Sequence, residues 1–328
     1  MIFILASARD VHARRVSDVL NNHGHQVTIF DAGSLGMDST LTYPLGEAPI
    51  IVLSSGQTVS FDRATCIWYR RPRLGHVAEH IRNPAIRNFC RQEWANLLEG
   101  LFLNSDARFV NPMLAEYAAV KPRQLHVARE VGWAIPDTLI TSDKDHASTF
   151  IQKHHGRVIH KAMTAPRDRL IDTRVWDEGD RPALKALTFA PTIFQEMICG
   201  PMDLRITVVG QRVFTARILT DRSRAGIDSR MDMDAPYEPY ELPDQIHERV
   251  LTFMAAMGLV YGTIDLKITH EGEYVFLEVN PQGQFLYVEI LTGMPIASAM
   301  ADLLAHGADP SPPQASLNGS LSDLIRQS

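Results

Sequence analysis

Apolar residues along the chain form short continuous runs and longer stripes with helical spacing. The first thirty residues read as strand, helix and strand, with apolar runs at 2–7 and 26–31 around a helix between Asp10 and Gly24. Further runs at 49–54 and 65–69 precede a long helix. Its predicted core-facing stripe is Ile86, Cys90, Trp94, Leu97, Leu98 and Leu101. The pattern predicts an N-terminal α/β domain with a parallel sheet.

A second pattern follows after residue 118, in which strands and helices are shorter. Pro122 suits the first turn of a helix that ends near Gly132, and strands follow at 135–140 and 157–163. Residues 164–190 are polar and irregular, so we expect a mobile loop there. The pattern predicts a small central α+β domain.

The C-terminal part contains two hairpins, which predict an antiparallel sheet in an α+β domain. One has arms at 203–209 and 212–220, and the other runs from Tyr261 to Pro281. A strong helix at 243–259 separates them. We expect four parts: an N-terminal domain at 1–118, a central subdomain at 119–190, a C-terminal subdomain at 191–308 and a flexible tail at 309–328.

The second hairpin carries the strongest chemical signal in the chain. If its turn is centred on Glu271-Gly272, Asp265 lies directly opposite Glu278, on a face that also holds Phe276 and Asn280. Two facing carboxylates repel each other unless a cation lies between them, and oxygen ligands of this kind suit magnesium. The alternative is a surface hairpin whose acidic residues are incidental.

Three further charged groups draw attention. Lys161 lies in an otherwise apolar strand, so we expect it to reach a phosphate or carboxylate, although an edge-strand lysine is the alternative. The first hairpin carries Asp203, Arg205 and Arg217. A two-residue turn at 210–211 would put the two arginines on opposite faces, whereas a three-residue turn would put them on one face. The segment from Trp68 to Arg73 reads equally well as an anion-binding cluster or a solvated loop.

Composition narrows the functional class. The net charge of −6 argues against a general nucleic-acid binder, and no apolar stretch reaches the length of a membrane span. The three cysteines, Cys66, Cys90 and Cys199, lack metal-site spacing and fit a reducing compartment. We therefore expect a soluble cytoplasmic protein, and a homodimer is compatible with the sequence.

The order of these parts resembles the ATP-grasp ligases, and the resemblance covers most of the chain. Asp265 with Glu278-Val-Asn280 is similar to the D…E-x-N magnesium signature of that superfamily. The resemblance implies ATP and two magnesium ions as cofactors. It assigns the ATP phosphates to Lys121 and Lys161. It also assigns the adenine and ribose to a hinge strand of four residues, Gln195, Glu196, Met197 and Ile198.

Within that superfamily, several motifs resemble a narrower group, the peptide-modifying ligases of the microviridin and graspetide type. These motifs begin at Trp68, Lys161, Asp203, Ala216 and Asn280. The resemblance implies a ligase that activates Asp or Glu side chains of a ribosomal precursor peptide as acyl-phosphates and joins them to Ser or Thr hydroxyls or Lys amines. Arg205 and Arg217 are then candidates for holding the acyl-phosphate, and Asp203 for orienting an arginine or assisting the nucleophile.

One departure and two alternatives accompany this interpretation. Many ATP-grasp enzymes cover the phosphates with a glycine-rich loop, but residues 164–177 contain no glycine, so Arg167 or Arg169 would have to substitute. The nearer alternative is a RimK-like ligase for amino acids or small molecules. A non-catalytic ATP-binding regulatory module is the alternative from another class.

The expected partner is a precursor peptide made of a leader and an acidic core. We expect the leader on the central subdomain between residues 120 and 190, because that region offers a sheet edge and loops. No nucleic acid and no membrane partner is expected.

Overall fold

A computed structural model describes residues 1–53, 55–61, 64–71, 77–164, 173–219 and 236–307. Arg73, Arg167, Arg169 and the tail at 309–328 lie outside these ranges.

The strands are β1 (Ile2–Leu5), β2 (Val27–Phe30), β3 (Thr40–Thr42), β4 (Ile50–Val52), β5 (Thr58–Ser60), β6 (Cys66–Tyr69), β7 (Arg108–Val110), β8 (Thr138–Thr141), β9 (Val158–Lys161), β10 (Arg174–Val175), β11 (Thr192–Glu196), β12 (Met202–Val209), β13 (Arg212–Leu219), β14 (Tyr237–Pro239), β15 (Tyr261–Ile268) and β16 (Tyr274–Asn280). The helices are α1 (Val11–Asn22), α2 (Pro84–Leu103), α3 (Met113–Ala118), α4 (Lys121–Glu130), α5 (Lys144–Lys153), α6 (Asp244–Met257), α7 (Leu286–Thr292) and α8 (Ile296–His306). Two 3-10 segments cover Ala32–Ser34 and Glu178–Phe189.

The N-terminal sheet is parallel, as predicted, with the order β2-β1-β6-β7. Asp10 caps α1 by accepting a hydrogen bond from the Ala13 N–H at 2.8 Å. A separate antiparallel meander of β3, β4 and β5 occupies the region where the pattern predicted a single strand. The carboxyl end of β6 leads directly into Arg70 and Arg71.

The long helix α2 corrects one expectation. Only Leu98, Leu101 and Phe102 of this helix are buried, whereas Ile86, which we predicted to face the core, is 51% exposed. The carboxyl third of α2 therefore packs on the N-terminal core, whereas none of the apolar residues in the first two thirds is fully buried.

The central sheet is antiparallel, with the order β10-β9-β11-β8. The segment predicted as a mobile loop is in part the 3-10 segment Glu178–Phe189, because Leu184 and Leu187 pack into a core with α5. Strand β11 pairs with β8 and β9, so the predicted boundary at residue 190/191 separates β11 from the sheet to which it belongs.

The C-terminal sheet is antiparallel, with the order β14-β13-β12-β15-β16. Helix α6 packs on one face through Val250, Phe253 and Met257, while α7 and α8 belong to the core on the other face. Together these elements confirm the predicted mixed α/β fold with one parallel and several antiparallel sheets.

The hairpin of β15 and β16 has the predicted pairing at its critical point, because Asp265 lies opposite Glu278. A β-bulge beyond Asp265 then shifts the register, so Leu266 pairs with Phe276. Phe276 is consequently fully buried in the core against α6, rather than on the carboxylate face where strict alternation had assigned it.

The N-terminal and C-terminal sheets meet at a buried polar junction. His12 on α1 is 6% exposed, and its Nε2 accepts a hydrogen bond from the Phe285 N–H at 3.2 Å. This geometry assigns the ring proton to Nδ1, which lies 3.7 Å from Asp10. Burial, followed by the positive charge of Arg70, lowers the pKa of His12 to about 4 from its ordinary 6.5.

We expect this histidine to make the fold acid-sensitive. Because the pKa of His12 is lower in the folded chain than in the unfolded chain, its contribution is fully present above pH 6.5 and is lost as the pH falls towards 4. The loss should reach about 3 kcal/mol in the free energy of unfolding. Urea unfolding across this range should show a flatter profile for His12→Gln, whose amide accepts the same bond without titrating. The exposed His126→Gln should keep the wild-type slope, and equal slopes for all three proteins would contradict the assignment.

Candidate functional site

The polar face of the C-terminal sheet collects charged side chains across three adjacent strands. Arg205 on β12 lies opposite Asp265 on β15, which lies opposite Glu278 on β16. The Arg205 Nη1 donates to both Asp265 oxygens at 2.7 and 2.8 Å, and this arginine is only 4% exposed. The arginine is therefore fixed beside the acid pair by a charge-assisted contact.

Glu278 has a cationic neighbour of its own. Lys121, the first residue of α4, places its Nζ 3.7 Å from Glu278 Oε2 and donates to the Ala162 carbonyl at 3.1 Å. Because Ala162 directly follows Lys161 at the end of β9, this one lysine connects the central sheet to the acid pair. The structure thus brings the predicted phosphate-binding region and the predicted metal ligands to one place.

These residues also fit a magnesium site. Asp265 and Glu278 supply two facing carboxylates, and Asn280 follows on the same strand with an amide oxygen that accepts from the Gln282 N–H at 2.9 Å. Among the described residues no group of three or more His, Cys, Asp or Glu side chains forms a metal cage. Magnesium suits a site with one or two carboxylates, because substrate phosphates complete its coordination.

Asp203 lies on the same face as Arg205 but has a different partner. It lies opposite Lys267, whose Nζ is 2.5 Å from Asp203 Oδ1, and both residues are buried. The pair joins β12 to β15. Within the described part of the chain the ion pair of Asp203 is therefore with a lysine and not with an arginine.

Arg217 lies on the opposite face of the sheet from Arg205. Val209 pairs with Arg212, which leaves Gly210-Gln211 as a two-residue turn, and Arg217 then lies opposite Leu204 on the other face of the sheet. Its Nε donates to Glu238 at 2.7 Å. The expectation that Arg205 and Arg217 hold one group together is therefore not met by this register.

Lys161 and Glu196 lie on opposite faces of the central sheet. Lys161 is 8% exposed and lies opposite Ile193, so Lys161 and Gln195 share one face of the sheet. Glu196 is on the opposite face, where its side chain approaches the His154 ring at 3.7 Å. The carboxylate of Glu196 is therefore not adjacent to Lys161.

The backbone of the hinge strand is partly occupied. The Glu196 N–H donates to Asp137 and the Met197 N–H to Arg157, at 3.0 and 2.9 Å. The Gln195 amide donates to Thr138 at 3.0 Å, and Ile198 follows as the half-buried end of the hinge. A cleft of about 590 Å³ lies beside this strand, between α4 and β8, and Glu196 lines it.

Three arginines converge on the loop that follows the acid hairpin. The buried Arg70 Nη1 donates to the carbonyls of Gln282 and Gly283 at 2.6 and 3.2 Å. The Arg71 N–H donates to the Gln282 side chain at 3.1 Å, and the Arg205 Nη2 lies 3.5 Å from the Gln284 carbonyl. The segment at 68–73, which had two equal interpretations, thus contributes a structural arginine at 70.

Arg71 is the neighbouring residue that sequence reasoning did not separate from this cluster. The residue is exposed overall, but the partial burial of its guanidinium lowers the pKa of that group, and Arg70 lowers it further. Arg205 acts in the same direction. The signal in the sequence was the run of arginines at the carboxyl end of β6, where ligands of α/β sheets collect.

Two buried amides position the hairpin and were also missed. Asn111 accepts from the N–H groups of Val260 and Tyr261 at 3.0 and 2.7 Å and donates to the Pro281 carbonyl at 3.0 Å. Gln124 on α4 accepts from the Val279 N–H at 3.0 Å. The available signal was an asparagine directly after a buried strand, but no local pattern indicates its partners.

Two tyrosines lie near Arg205 and Asp265. The rings of Tyr237 and Tyr287 meet edge to face with centroids 5.7 Å apart. Burial, followed by the proximity of Tyr287, raises the pKa of Tyr237, and the Asp265 charge raises it further. Tyr237 therefore remains a neutral phenol at ordinary pH and adds an aromatic surface beside the acid pair.

Comparison with known proteins decides the family. The sequence profile described as the RimK-like ATP-grasp domain matches residues 118–304, which is more than half of the chain. The chain belongs to the RimK-like ATP-grasp family. Ligases of the ATP-grasp type use ATP and Mg²⁺, so the lysines and the acid hairpin lie in a chain of the expected class. The expectation of a carboxylate ligase is confirmed at this level.

Solved ATP-grasp structures resemble nearly the whole chain. The macrocyclase MdnC from Microcystis aeruginosa MRC, bound with its precursor peptide MdnA, is 28% identical, with coverage of 93% of this chain and 98% of that chain and a TM-score of 0.84. The ATP-grasp ligase of Chryseobacterium gregarium, which is associated with ribosomally synthesised, post-translationally modified peptides, was solved with ADP and leader and core peptides. It is 27% identical, with coverage of 95% and 98% and a TM-score of 0.84.

A third ATP-grasp relative in this group, the macrocyclase MdnB of the same Microcystis strain, is 26% identical with a TM-score of 0.80, and the match covers 93% of this chain and 99% of that one. A search of the curated proteins gives no match. No helix in the described part of the chain has the length and apolar composition needed to cross a membrane.

Proposed function

We propose that this ATP-grasp enzyme closes macrocycles in a ribosomal precursor peptide. The observation that carries the proposal is the convergence of Lys121, Arg205 and the facing pair Asp265 and Glu278 on one sheet face. It occurs in a chain that resembles peptide macrocyclases over more than nine tenths of its length. A carboxylate ligase needs this combination of phosphate-binding cations and metal-binding acids.

The proposed reaction has two displacements. A side-chain carboxylate oxygen of the peptide attacks the γ-phosphorus of ATP, which forms an acyl-phosphate and releases ADP. A hydroxyl or amine of the same peptide then attacks the acyl carbon, phosphate leaves, and the nucleophile gives up its proton. The sum is one ester or amide, one ADP and one hydrogen phosphate, which carries the proton that the hydroxyl or neutral amine gave up.

Each residue has a role in this proposal. Lys121 and Lys161 neutralise the ATP phosphates, and the hinge from Gln195 to Ile198 receives the base and ribose. Asp265, Glu278 and Asn280 would hold two magnesium ions, which would neutralise the negative charge of the phosphates. Arg205 holds the acyl-phosphate through its planar guanidinium.

The surroundings favour a peptide over a smaller acid as the substrate. Among the described residues none forms an ion pair with the Arg71 guanidinium, which is exposed beside Arg205 and suits a carboxylate of an acidic core. Tyr237 and Tyr287 add an aromatic surface. The leader is proposed to bind the central subdomain. The described cysteines are free, which supports the proposal of a cytoplasmic enzyme.

We expect the purified enzyme with Mg-ATP to modify an acidic precursor peptide, which is to be sought among the short reading frames beside its gene. Mass spectrometry should show the loss of one water for each ring, with one ADP released per ring. The matched control is the same peptide with its Asp and Glu residues replaced by Asn and Gln, which leaves no side-chain carboxylate to activate. It should release no ADP above background.

Two results would contradict the proposal. Addition of free amino acids to a protein without water loss inside a peptide would identify the RimK-like amino-acid ligase. Tight ATP binding without turnover for any acidic peptide would identify a regulatory module. The present arrangement of cations and acids favours the catalytic alternatives, because a binding module has no need of a group for the acyl-phosphate.

A further inference from the structure

Glu116 is a half-buried acid that the proposed mechanism does not use. It lies on the short helix α3, and its Oε2 accepts a hydrogen bond from the Asn111 Nδ2 at 3.0 Å. Burial raises the pKa of its carboxyl, while hydrogen bonds from Asn111 and Gln282, followed by the charge of Arg70, act in the opposite direction. A carboxylate that is withdrawn from water needs donors of this kind, so its partners indicate what it does.

Two amides donate to the Glu116 carboxylate, and their other partners fix the orientation of each amide. The Asn111 Oδ1 accepts from two backbone N–H groups at the start of β15, so its Nδ2 must face Glu116. The Gln282 Oε1 accepts from the Arg71 N–H at 3.1 Å, which leaves the Gln282 Nε2 to donate to Glu116. Gln282 therefore connects an acid of α3 to the backbone of Arg71.

Arg71 has an unusual backbone conformation at the point where Gln282 contacts it. Its φ angle is +47°, in a region that residues with a side chain rarely adopt. Such a conformation persists only where surrounding contacts hold it, and it is common at ligand-binding sites. The hydrogen bond from the Arg71 N–H to Gln282 is a contact of this kind. With another φ angle, the Arg71 side chain would leave the carboxyl end of β6 in a different direction.

The guanidinium of Arg71 belongs to a cluster of three arginines. Burial lowers the pKa of this group, and Arg70 and Arg205 lower it further, so the three charges lie close together. Arg205 donates to Asp265, and the buried Arg70 donates to the carbonyls at 282–283. Arg71 is the exposed member of the three, so its direction decides where a peptide carboxylate can bind.

We propose that Glu116 and Gln282 form a positioning pair, which holds Arg71 in the orientation that receives a carboxylate of the substrate peptide. The identity of that substrate rests on the function proposed above. Neither member of the pair has to touch the peptide, because the effect of both passes through the backbone of Arg71. Helix α3, which lies outside the acid hairpin, thereby contributes to substrate binding.

Exchanging the two side chains tests the pair. Gln282→Glu places two carboxylates against each other and should raise the KM for the peptide at least about tenfold. Adding Glu116→Gln restores a donor and an acceptor, because the introduced amide donates to the introduced carboxylate, which still accepts from the Arg71 N–H. The double variant should return to within about threefold of the wild-type KM. The assay is ADP release at saturating Mg-ATP, with the acidic peptide that the wild-type enzyme modifies.

Two controls separate positioning from a general effect of the added charge. Gln211→Glu introduces the same charge at the exposed turn between β12 and β13 and should leave the peptide KM unchanged. The KM for Mg-ATP should change less than about twofold in the exchanged variants, because the pair acts on the peptide. A lower thermal midpoint for Gln282→Glu with an unchanged peptide KM would show a merely structural pair and would overturn the proposal.

Arg71 supplies the decisive test, because the pair is proposed to act through it. Arg71→Gln removes the guanidinium and should raise the peptide KM at least about tenfold. In that background Gln282→Glu should raise the peptide KM further by less than about twofold, since the group that Gln282 positions is already absent. Independent effects that multiply in the double variant would overturn the proposal.

The wild-type chain separates the two proposals. If it releases no ADP with acidic peptides, the proposed function is overturned and the positioning pair with it. If the wild-type chain is active but Gln282→Glu keeps the wild-type peptide KM, only the positioning pair is overturned. The same holds if adding Glu116→Gln does not improve on Gln282→Glu alone.

Discussion

Replacing Asp265 with asparagine should lower kcat/KM for ADP formation by at least about 10³-fold, which corresponds to about 4 kcal/mol. The substitution preserves the shape of the side chain but removes the charge that faces Glu278 and balances Arg205. Both roles of the carboxylate are lost together. The measurement is ADP release in the presence of the acidic peptide over a range of Mg²⁺ concentrations.

The two roles of Asp265 are separable by their dependence on magnesium. Raising the Mg²⁺ concentration should recover part of the rate of Asp265→Asn, because the weakened ligand set is filled by mass action. It should not rescue Arg205→Met, which removes the guanidinium but leaves both carboxylates. A rate for Asp265→Asn within threefold of wild type at every Mg²⁺ concentration would exclude this site.

A matched control is available on the surface. Asp302 pairs with the exposed Arg212 at 2.8 Å, away from the acid hairpin. Asp302→Asn should leave kcat/KM unchanged, since exposed pairs contribute little. Thermal midpoints of both variants separate catalysis from folding, because removing the partner of the buried Arg205 also destabilises the fold.

How far the sequence predicted this site depends on what each inference required. The pairing of Asp265 with Glu278 was derived from a turn position and the two-residue period of a strand. The pairing is confirmed, but the turn position is not, because Ile268 pairs with Tyr274 and the bulge restores the predicted register only from Asp265 onwards. The same period failed for Phe276, because a bulge adds one residue to one strand without a local signal. The error moved a whole aromatic side chain from one face to the other.

The faces on which residues of the neighbouring strands lie also depend on register, which the local pattern does not fix. The choice between opposite and shared faces for Arg205 and Arg217 depended on one residue of turn length, and the structure has the two-residue turn. Glu196 and Lys161 belong to strands whose relative register no local pattern fixes. A charged residue is visible in a sequence, but its direction depends on pairing with distant segments.

Helix α2 shows the related limit for burial. Helical periodicity correctly predicted apolar stripes, and it correctly placed Leu98 and Leu101 in the core. It could not distinguish a stripe that this chain covers from one that it leaves exposed, because both have the same spacing. Predicting that Ile86 and Phe89 are exposed would have required the positions of the segments that pack on α2.

Replacing Gly283 with alanine should produce the second large effect, a loss of about 3 kcal/mol or more in the free energy of unfolding. A Cβ at this position would lie 2.0 Å from the Oγ1 of Thr263 and 2.5 Å from its Cβ, and Thr263 is fully buried. The loop at 282–284 must then move away from Arg70 and Arg205. Denaturant unfolding measures the stability loss, and ADP release measures the accompanying loss of activity.

The neighbouring strand supplies both the control and the partner for this test. Gly262→Ala should cost less, because its nearest contacts, the terminal methyl of Met254 and a methyl of Val279, are both 3.2 Å away rather than 2.0 Å. Thr263→Gly removes both clashing atoms, so the double variant with Gly283→Ala should be more stable than the sum of the single effects, by about 1–3 kcal/mol. Additive losses would mean that Thr263 is not the obstacle. Recovery of stability together with activity would show that close packing of the loop against β15 holds Arg205 and the acid hairpin in one arrangement. Recovery of stability without activity would mean that the loop has a second position that is compatible with folding but not with catalysis.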